Sequence, residues 1–338
     1  MKKTLLSYFI IIIIFNYNLV TKSENWIMEK QSKIYIAGHK GLVGSAVVRK
    51  LKELGFENII TRTSTQLDLR RQSDVEQFFA KEHPDFVILA AAKVGGIKAN
   101  NDYPANFLYD NLMIQTNIIN SAYKFCTKKL LFLGSSCIYP KMCPQPIKEE
   151  YLLTGALEPT NKAYAVAKIS GIEMCQSYNK QYGTNFIACM PTNLYGPNDN
   201  FDPITSHVLP ALLRKFYEAK QQNKPSVTVW GSGKPYREFL HVDDLADAII
   251  FLMQNYNEKE IVNIGTGKDL TIAQLSEKIK YIVGFEGKIN FDTSKLDGTP
   301  KKQLNTDKIN QLGWEPKIPL ERGLKKVLEW CVDNKIFA

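Results

Sequence analysis

The sequence predicts an α/β fold: a Rossmann-type doubly wound parallel sheet with a smaller C-terminal α/β substrate domain. Three observations predict it. From Lys33 onward short apolar runs alternate with longer amphipathic ones, the pattern of right-handed βαβ crossovers. A glycine triplet follows the first apolar run directly. The length of 338 residues, with 44% hydrophobic and 23% charged residues, suits about two domains with a sizeable core.

The strand-like runs are "KIYIA" (33–37), "ENIIT" (57–61), "DFVILAAA" (85–92), "KLLFLG" (129–134) and "NFIACM" (185–190). Between them lie helical stretches: "LVGSAVVRKLKEL", "SDVEQFFAKE", "ANFLYDNLMIQTNIINSAYKF" and "KAYAVAKISGIEMCQSYNKQY". Ligands are then expected at the carboxyl ends of the strands. After Pro191 the rhythm loosens into Gly-, Pro-, Asn- and Asp-rich loops joined by one clear helix, "SHVLPALLRKFYEA". We expect residues 33–190 to form the dinucleotide-binding domain, with segments near 240–265 returning to it, and 191–338 to be mainly substrate-binding.

Residues 1–32 stand apart. "MKKTLLSYFIIIIIF" has a basic start and an apolar core of about a dozen residues, closer to a signal peptide than to a membrane span. No small-residue cleavage site follows, and Met28 is an alternative start. The segment leaves a secretory or organellar address open. Otherwise a cytoplasmic enzyme without stable membrane association is expected.

The net charge is +9, but the lysines are scattered and no basic block carries interleaved aromatics. That disfavours nucleic acid and suits an anionic small ligand. Six cysteines without CxxC or Cys/His spacing indicate neither a metal site nor a disulfide framework, and point to a reducing compartment.

"IAGHKGLVGSAV" places Gly38, Gly41 and Gly44 at the turn between the first strand and first helix. Glycine permits the bend, lets backbone approach a pyrophosphate and lets helix and strand pack closely; the helix N-terminus adds free N–H groups. At the end of the second strand an NAD site usually carries an acid. Here "IITRTSTQLDL" has none before Asp68, and Arg62 stands at the tip with Lys40 near the same corner. The expected cofactor is NADP(H).

"AYAVAK" carries Tyr164 and Lys168 four apart, on one helix face. A phenol has an unperturbed pKa of about 10. A neighbouring ammonium is expected to lower it, and the same ammonium can hold a nicotinamide ribose. Ser135 or Ser136, in "FLGSSCIYPK" at the end of the fourth strand, can then hydrogen-bond a substrate carbonyl. Glycine loop, strand-ending serine and YxxxK occur here in that order.

At these residues the sequence resembles the extended short-chain dehydrogenase/reductase superfamily. The stretches that carry the resemblance include "IAGHKGLVGSA", "LAAAKVGGIKANN", "LLFLGSSCIYPK", "LEPTNKAYAVAKISGI", "MPTNLYGPNDNF", "VWGSGKPYREFLHVDDLADA" and "DGTPKKQLN". Together they span nearly all of 33–338. The branch it resembles most specifically inverts C3 and C5 of a GDP-linked 4-keto-6-deoxyhexose and then reduces C4 with NADPH.

The resemblance implies roles residue by residue. Cys137 would be the base and His207 the acid of epimerisation, a thiol and an imidazole whose ordinary pKa values straddle neutrality. Ser135, Tyr164 and Lys168 would serve reduction, with Ser136 nearby. His39, Leu42 and Val43 would join the glycine loop around the cofactor, as would Lys168, His207 and Pro191, Thr192, Asn193 and Leu194. Lys215, Trp230, Arg237 and Asp297 would contact the GDP-sugar; for Arg237, an ion pair with Asp243 or Asp244 is the competing expectation. A homodimer through the helices at 104–125 and 161–182 is implied as well. One departure is Ser64, where some members carry an extra arginine, which leaves the 2′-phosphate to Arg62 and Lys40. The rival reading is another extended nucleotide-sugar epimerase or dehydratase.

Overall fold

Both faces of the first strand are buried. Ile34 and Ile36 enter one apolar core while Tyr35 and Ala37 enter another. The two-residue period of a strand demands this when helices cover both sides of a sheet. The computed structural model describes residues 27–202, 205–295 and 297–337. The apolar N-terminal stretch up to residue 26, with the expectations placed on it, lies outside them.

The main sheet is built from β1 (Ile34–Ala37), β2 (Ile59–Ile60), β3 (Phe86–Leu89), β4 (Lys129–Leu133) and β5 (Phe186–Pro191). The helices between them are α1 (Leu42–Glu53), α2 (Gln72–Glu82), α3 (Ile97–Asp102), α4 (Pro104–Lys124) and α5 (Lys162–Tyr182). Next come β6 (Asn193–Tyr195), α6 (Val208–Gln221), β7 (Ser226–Trp230), β8 (Tyr236–His241), α7 (Val242–Asn255) and β9 (Val262–Ile264). The chain closes with β10 (Asp269–Thr271), α8 (Ile272–Val283), β11 (Lys288–Asp292), β12 (Lys301–Lys302), α9 (Asp307–Gln311) and α10 (Leu320–Asp333).

Six parallel strands run in the order β2-β1-β3-β4-β5-β9. The winding reverses between β1 and β3, which opens a crevice at their carboxyl ends. Alternation holds along the sheet: Phe86, Ile88, Leu131, Leu133, Ile187 and Cys189 face α1 and α7, whereas Val87, Leu89, Leu130, Phe132, Phe186 and Ala188 face α2, α4 and α5.

Two expected strands are shorter than their apolar runs. The run at 57–61 gives only the two-residue β2, and the run at 85–92 stops at Leu89. Ala90–Ala92 leave the sheet at the reversal point, where Ala91 backbone lies under the turn after β1.

A third apolar core joins α6, α8 and α10 to β7 and β8. Here β8 pairs with β6 and β12 in parallel and with β10 antiparallel, and β7 pairs with β11. The buried Glu238 carboxylate on β8 accepts the Thr266 N–H at 2.5 Å and the Gly267 and Leu304 N–H groups at 2.8 Å. It thereby fixes the segment after β12 against β8. That segment matters below. No described helix is long and apolar enough to cross a membrane.

Candidate active site

The glycine turn sits at the sheet's reversal point. Gly38 has φ +88°, and a Cβ there would stand 2.8 Å from Ala91 Cα. At Gly44 a Cβ would collide with the Gly38 carbonyl, so the first turn of α1 can press on the loop only without a side chain. Gly41 is the exposed N-cap of α1, and no acidic residue occupies the first helical turn. This cradle fits a dinucleotide pyrophosphate, through orphan N–H groups and the positive end of the helix dipole. Leu42 is half-buried and Val43 buried behind it, while Lys40 is exposed on the loop.

The His39 ring lies beside the backbone of Arg62, which brings the glycine loop next to the tip of β2. Arg62 differs from the expected free cation. Its Nη2 donates to Glu82 Oε1 at 2.6 Å, its Nη1 to the Thr61 carbonyl at 2.7 Å, and the guanidinium lies 5.4 Å from the Phe78 ring centre. Ser64 is exposed nearby.

At the carboxyl end of β4 the strand turns into a short 3₁₀ helix, Ser136–Ile138. Ser135 caps it by accepting the Cys137 N–H at 3.2 Å. So the serine–serine–cysteine run turns a corner, and the corner presents the thiol. Cys137 is half-buried, and Lys302 Nζ from β12 donates to its sulfur at 3.3 Å. Burial pushes this thiol up, but the Lys302 ammonium, the Ser135 hydroxyl and the Arg237 charge outweigh it and hold the thiol below its usual value.

Tyr164 and Lys168 reach the same corner from α5. Lys168 is 3% exposed and donates to the Leu133 carbonyl at 2.7 Å, with its Nζ 5.9 Å from the Tyr164 ring centre. Burial lowers this lysine to about 7. The expected lowering of the phenol does not occur: burial and the charge of Cys137 raise Tyr164, opposed only by the Ser135 hydroxyl. A lysine itself pushed toward neutrality offers little charge to a neighbouring phenol.

His207 is the N-cap residue of α6, yet its side chain does not cap the helix. His207 is exposed; desolvation, then the Lys302 charge, lowers its imidazole. Lys302 therefore acts on both the thiol and the imidazole.

Of the other predicted residues, Arg237 is close enough for its charge to act on Cys137, whereas among the described residues no contact joins Lys215 or Trp230 to this corner. Pro191 and Thr192 are buried at the end of β5, and Asn193 Nδ2 donates to the Glu238 carbonyl at 2.8 Å beside half-buried Leu194. Arg237 makes no ion pair with Asp243 or Asp244. Its Nη1 donates to the Tyr236 and Thr299 carbonyls at 2.7 and 2.6 Å, while Asp243 binds Arg49 and Asp244 caps the 317–318 backbone. Lys215 Nζ lies 4.9 Å from the Trp230 ring centre. Asp297 instead holds the Ser232 N–H and hydroxyl, at 2.9 and 2.6 Å.

Lys302, Glu82, Glu158 and Asn161 were not singled out by sequence reasoning. Lys302 is placed by its register with Arg237 on β8. No local pattern carries that long-range pairing.

The chain has relatives in sequence and in fold. A family model described as "NAD dependent epimerase/dehydratase family" matches residues 34–265. A protein of Arabidopsis thaliana, "Putative GDP-L-fucose synthase 2", is 60% identical over 93% of this chain and 96% of its own length. "GDP-L-fucose synthase" of Escherichia coli (strain K12) is 53% identical over 91% and 98%. A solved "gdp-l-fucose synthetase from Naegleria fowleri bound to NADP" superposes with a TM-score of 0.85 at 32% identity, covering 92% of this chain and 97% of that one.

Proposed function

The chain belongs to the NAD dependent epimerase/dehydratase family, and we propose that it converts GDP-4-dehydro-6-deoxy-D-mannose to GDP-L-fucose by 3,5-epimerisation and NADPH-dependent reduction at C4. One observation carries the reading: a thiol under the charge of Lys302 stands at the same strand end as Ser135, Tyr164 and Lys168. A plain reductase needs no such thiol.

In this reading Cys137 removes the proton alpha to the C4 ketone, first at one of C3 and C5 and later at the other, and the ketone oxygen takes up the negative charge. Ser135 and Tyr164 hydrogen-bond that oxygen. His207 returns a proton to the opposite face of each carbon, so each carbon is inverted without change of oxidation state. Bound NADPH supplies the hydride for C4. Tyr164 then protonates the C4 oxygen, and Lys168 holds the phenol and the nicotinamide ribose in place. The glycine loop, His39, Arg62 and Lys40 hold the rest of the cofactor. Lys215, Trp230, Arg237 and Asp297 contact the GDP-sugar, with the cations for the diphosphate.

The division of labour assigns residues 33–190, with segments near 240–265 returning to them, to the cofactor and 191–338 otherwise mainly to the sugar nucleotide. The reading also includes a homodimer through α4 and α5, whose outer faces expose Tyr109, Tyr123, Val166 and Tyr182. A cytoplasmic site of action fits the six unpaired cysteines.

Supplying the keto sugar nucleotide, NADPH and deuterated water tests the chemistry. The parent should consume NADPH and place deuterium at C3 and C5. Cys137→Ser should lose deuterium uptake by about 10²–10⁴-fold with NADPH affinity nearly intact, whereas Tyr164→Phe should slow reduction and keep the exchange. Exchange by Cys137→Ser at the parental rate would remove the thiol from the mechanism. NADPH left unconsumed by the parent would instead favour a 4-epimerase or dehydratase.

A further inference from the structure

The cleft beside Cys137 is walled by Ser136, Glu158, Asn161, Thr299 and Lys302, among others. Most polar atoms on this wall are already engaged. Lys302 points at the sulfur; Glu158 accepts from Lys141 Nζ at 3.0 Å and from Thr299 Oγ1 at 3.3 Å. Asn161 is among those that are not. Its side-chain oxygen is buried and accepts no hydrogen bond.

The position makes that more pointed. Asn161 is the N-cap of α5, three residues before Tyr164, where an asparagine ordinarily spends its oxygen on a backbone N–H of the first turn. Here it does not cap the helix. Glu158 holds the turn from the other side, accepting from Thr160 N and Oγ1 at 3.5 and 3.4 Å. A buried carbonyl oxygen without a donor is costly unless something else supplies one.

We propose that Asn161 is a substrate-orienting residue, whose side-chain oxygen accepts a hydrogen bond from the C2 hydroxyl of the keto sugar. The assignment rests on the epimerase-reductase reading above. A ring hydroxyl matches the missing donor. Of the ring hydroxyls, only that at C2 keeps its configuration through both inversions, so one fixed acceptor serves substrate, intermediates and product alike. Glu158 is the positioning residue that keeps the turn against the cleft.

A cycle of Asn161→Leu against the C2-deoxy substrate tests this. Each change alone should lower kcat/KM by about ten- to a hundredfold, and the two together should cost no more than either alone. Affinities of Asn161→Leu for NADPH and for GDP alone should stay within about twofold of the parent, which a merely structural role would not allow. Multiplying losses, or an Asn161→Leu protein as fast as the parent, would overturn the proposal. So would equal loss of NADPH or GDP affinity. Asn161→Ser, carried through the same cycle, replaces the leucine variant should that one fail to fold. If the parent itself leaves the keto sugar unreduced, the epimerase-reductase reading fails rather than this assignment within it.

Discussion

The two ends of β4 each hold a buried lysine, and the two lysines do opposite things with their donors. Lys129 begins the strand; its Nζ donates to the Leu252, Met253 and Tyr256 carbonyls and to Asn257 Oδ1, at 2.6–3.0 Å. Lys168 reaches the other end of the strand and donates once, to the Leu133 carbonyl. Burial pushes both down to about 7. Depth and basicity therefore fail to tell them apart. An ammonium has three donors. At Lys129 the protein uses them all, at the carboxyl end of α7 where a cation is favoured. At Lys168 it leaves donors over for a ligand. The unfilled hydrogen-bonding capacity separates site from scaffold.

The largest effects should come from exchanging each lysine for methionine, which keeps length and removes charge. Lys168→Met should slow C4 reduction by about 10²–10⁴-fold, read as NADPH oxidation, with little change in the urea midpoint. Lys129→Met should do the reverse. It removes the donor shared by the Leu252, Met253 and Tyr256 carbonyls and Asn257 Oδ1, of which Leu252 keeps the Tyr256 N–H and Asn257 keeps Asn185 Nδ2, and should cost about 2–4 kcal/mol of stability, with turnover per folded molecule unchanged. A Lys129→Met protein that is stable but slow would break the comparison outright.

Lys302 sharpens it next. This cation holds the Cys137 thiol below its usual value, so the thiolate persists to lower pH than a free thiol would allow. Epimerisation needs the deprotonated sulfur and is lost as pH falls through that value. Removing the charge in Lys302→Gln raises the thiol, so the acid limb of deuterium exchange should move to higher pH, with activity recovering in alkaline buffer. The rate of alkylation by iodoacetamide against pH should move the same way. An unmoved acid limb would assign the base to another group.

Legibility in the sequence followed the range of the interactions. Short apolar runs alternating with longer amphipathic stretches gave the parallel sheet and its two covering layers, because a strand buried on both faces reads as an unbroken apolar run. The helix carrying Tyr164 and Lys168 was predicted at 162–182, where it is found. The strand expected at 85–92 ends at Leu89: Ala90 keeps one bond to the Ala37 carbonyl, and Ala91 is apolar for packing under the glycine loop rather than for pairing. In the candidate site, spacing brought out the glycines and the tyrosine–lysine pair. What stayed hidden is carried by neighbours distant in sequence: Lys302 faces Cys137 across 165 positions, and Glu82 faces Arg62 across 20. The direction of the Tyr164 shift was misjudged for the same reason, since burial is not written in a helix face.

Arg62 and Lys40 carry the smallest effect and repeat the lesson of the two lysines. Sequence made them equal partners for a 2′-phosphate. Yet Arg62 already gives Nη2 to Glu82 and Nη1 to the Thr61 carbonyl, whereas among the described residues no carboxylate is paired with Lys40. A phosphate approaching Arg62 meets a nearly neutral pair; one approaching Lys40 meets a whole charge. Lys40→Ala should therefore weaken NADPH by about fivefold, the scale of one exposed ion pair, and Arg62→Ala by about twofold, with NADH hardly changed by either. Glu82→Gln should tighten NADPH slightly, and all three differences should shrink in high salt. Fluorescence titration of the reduced cofactors gives these affinities directly. A larger loss at Arg62 than at Lys40 would mean that Glu82 presents the guanidinium instead of neutralising it, and an engaged donor would then not always be a spent one.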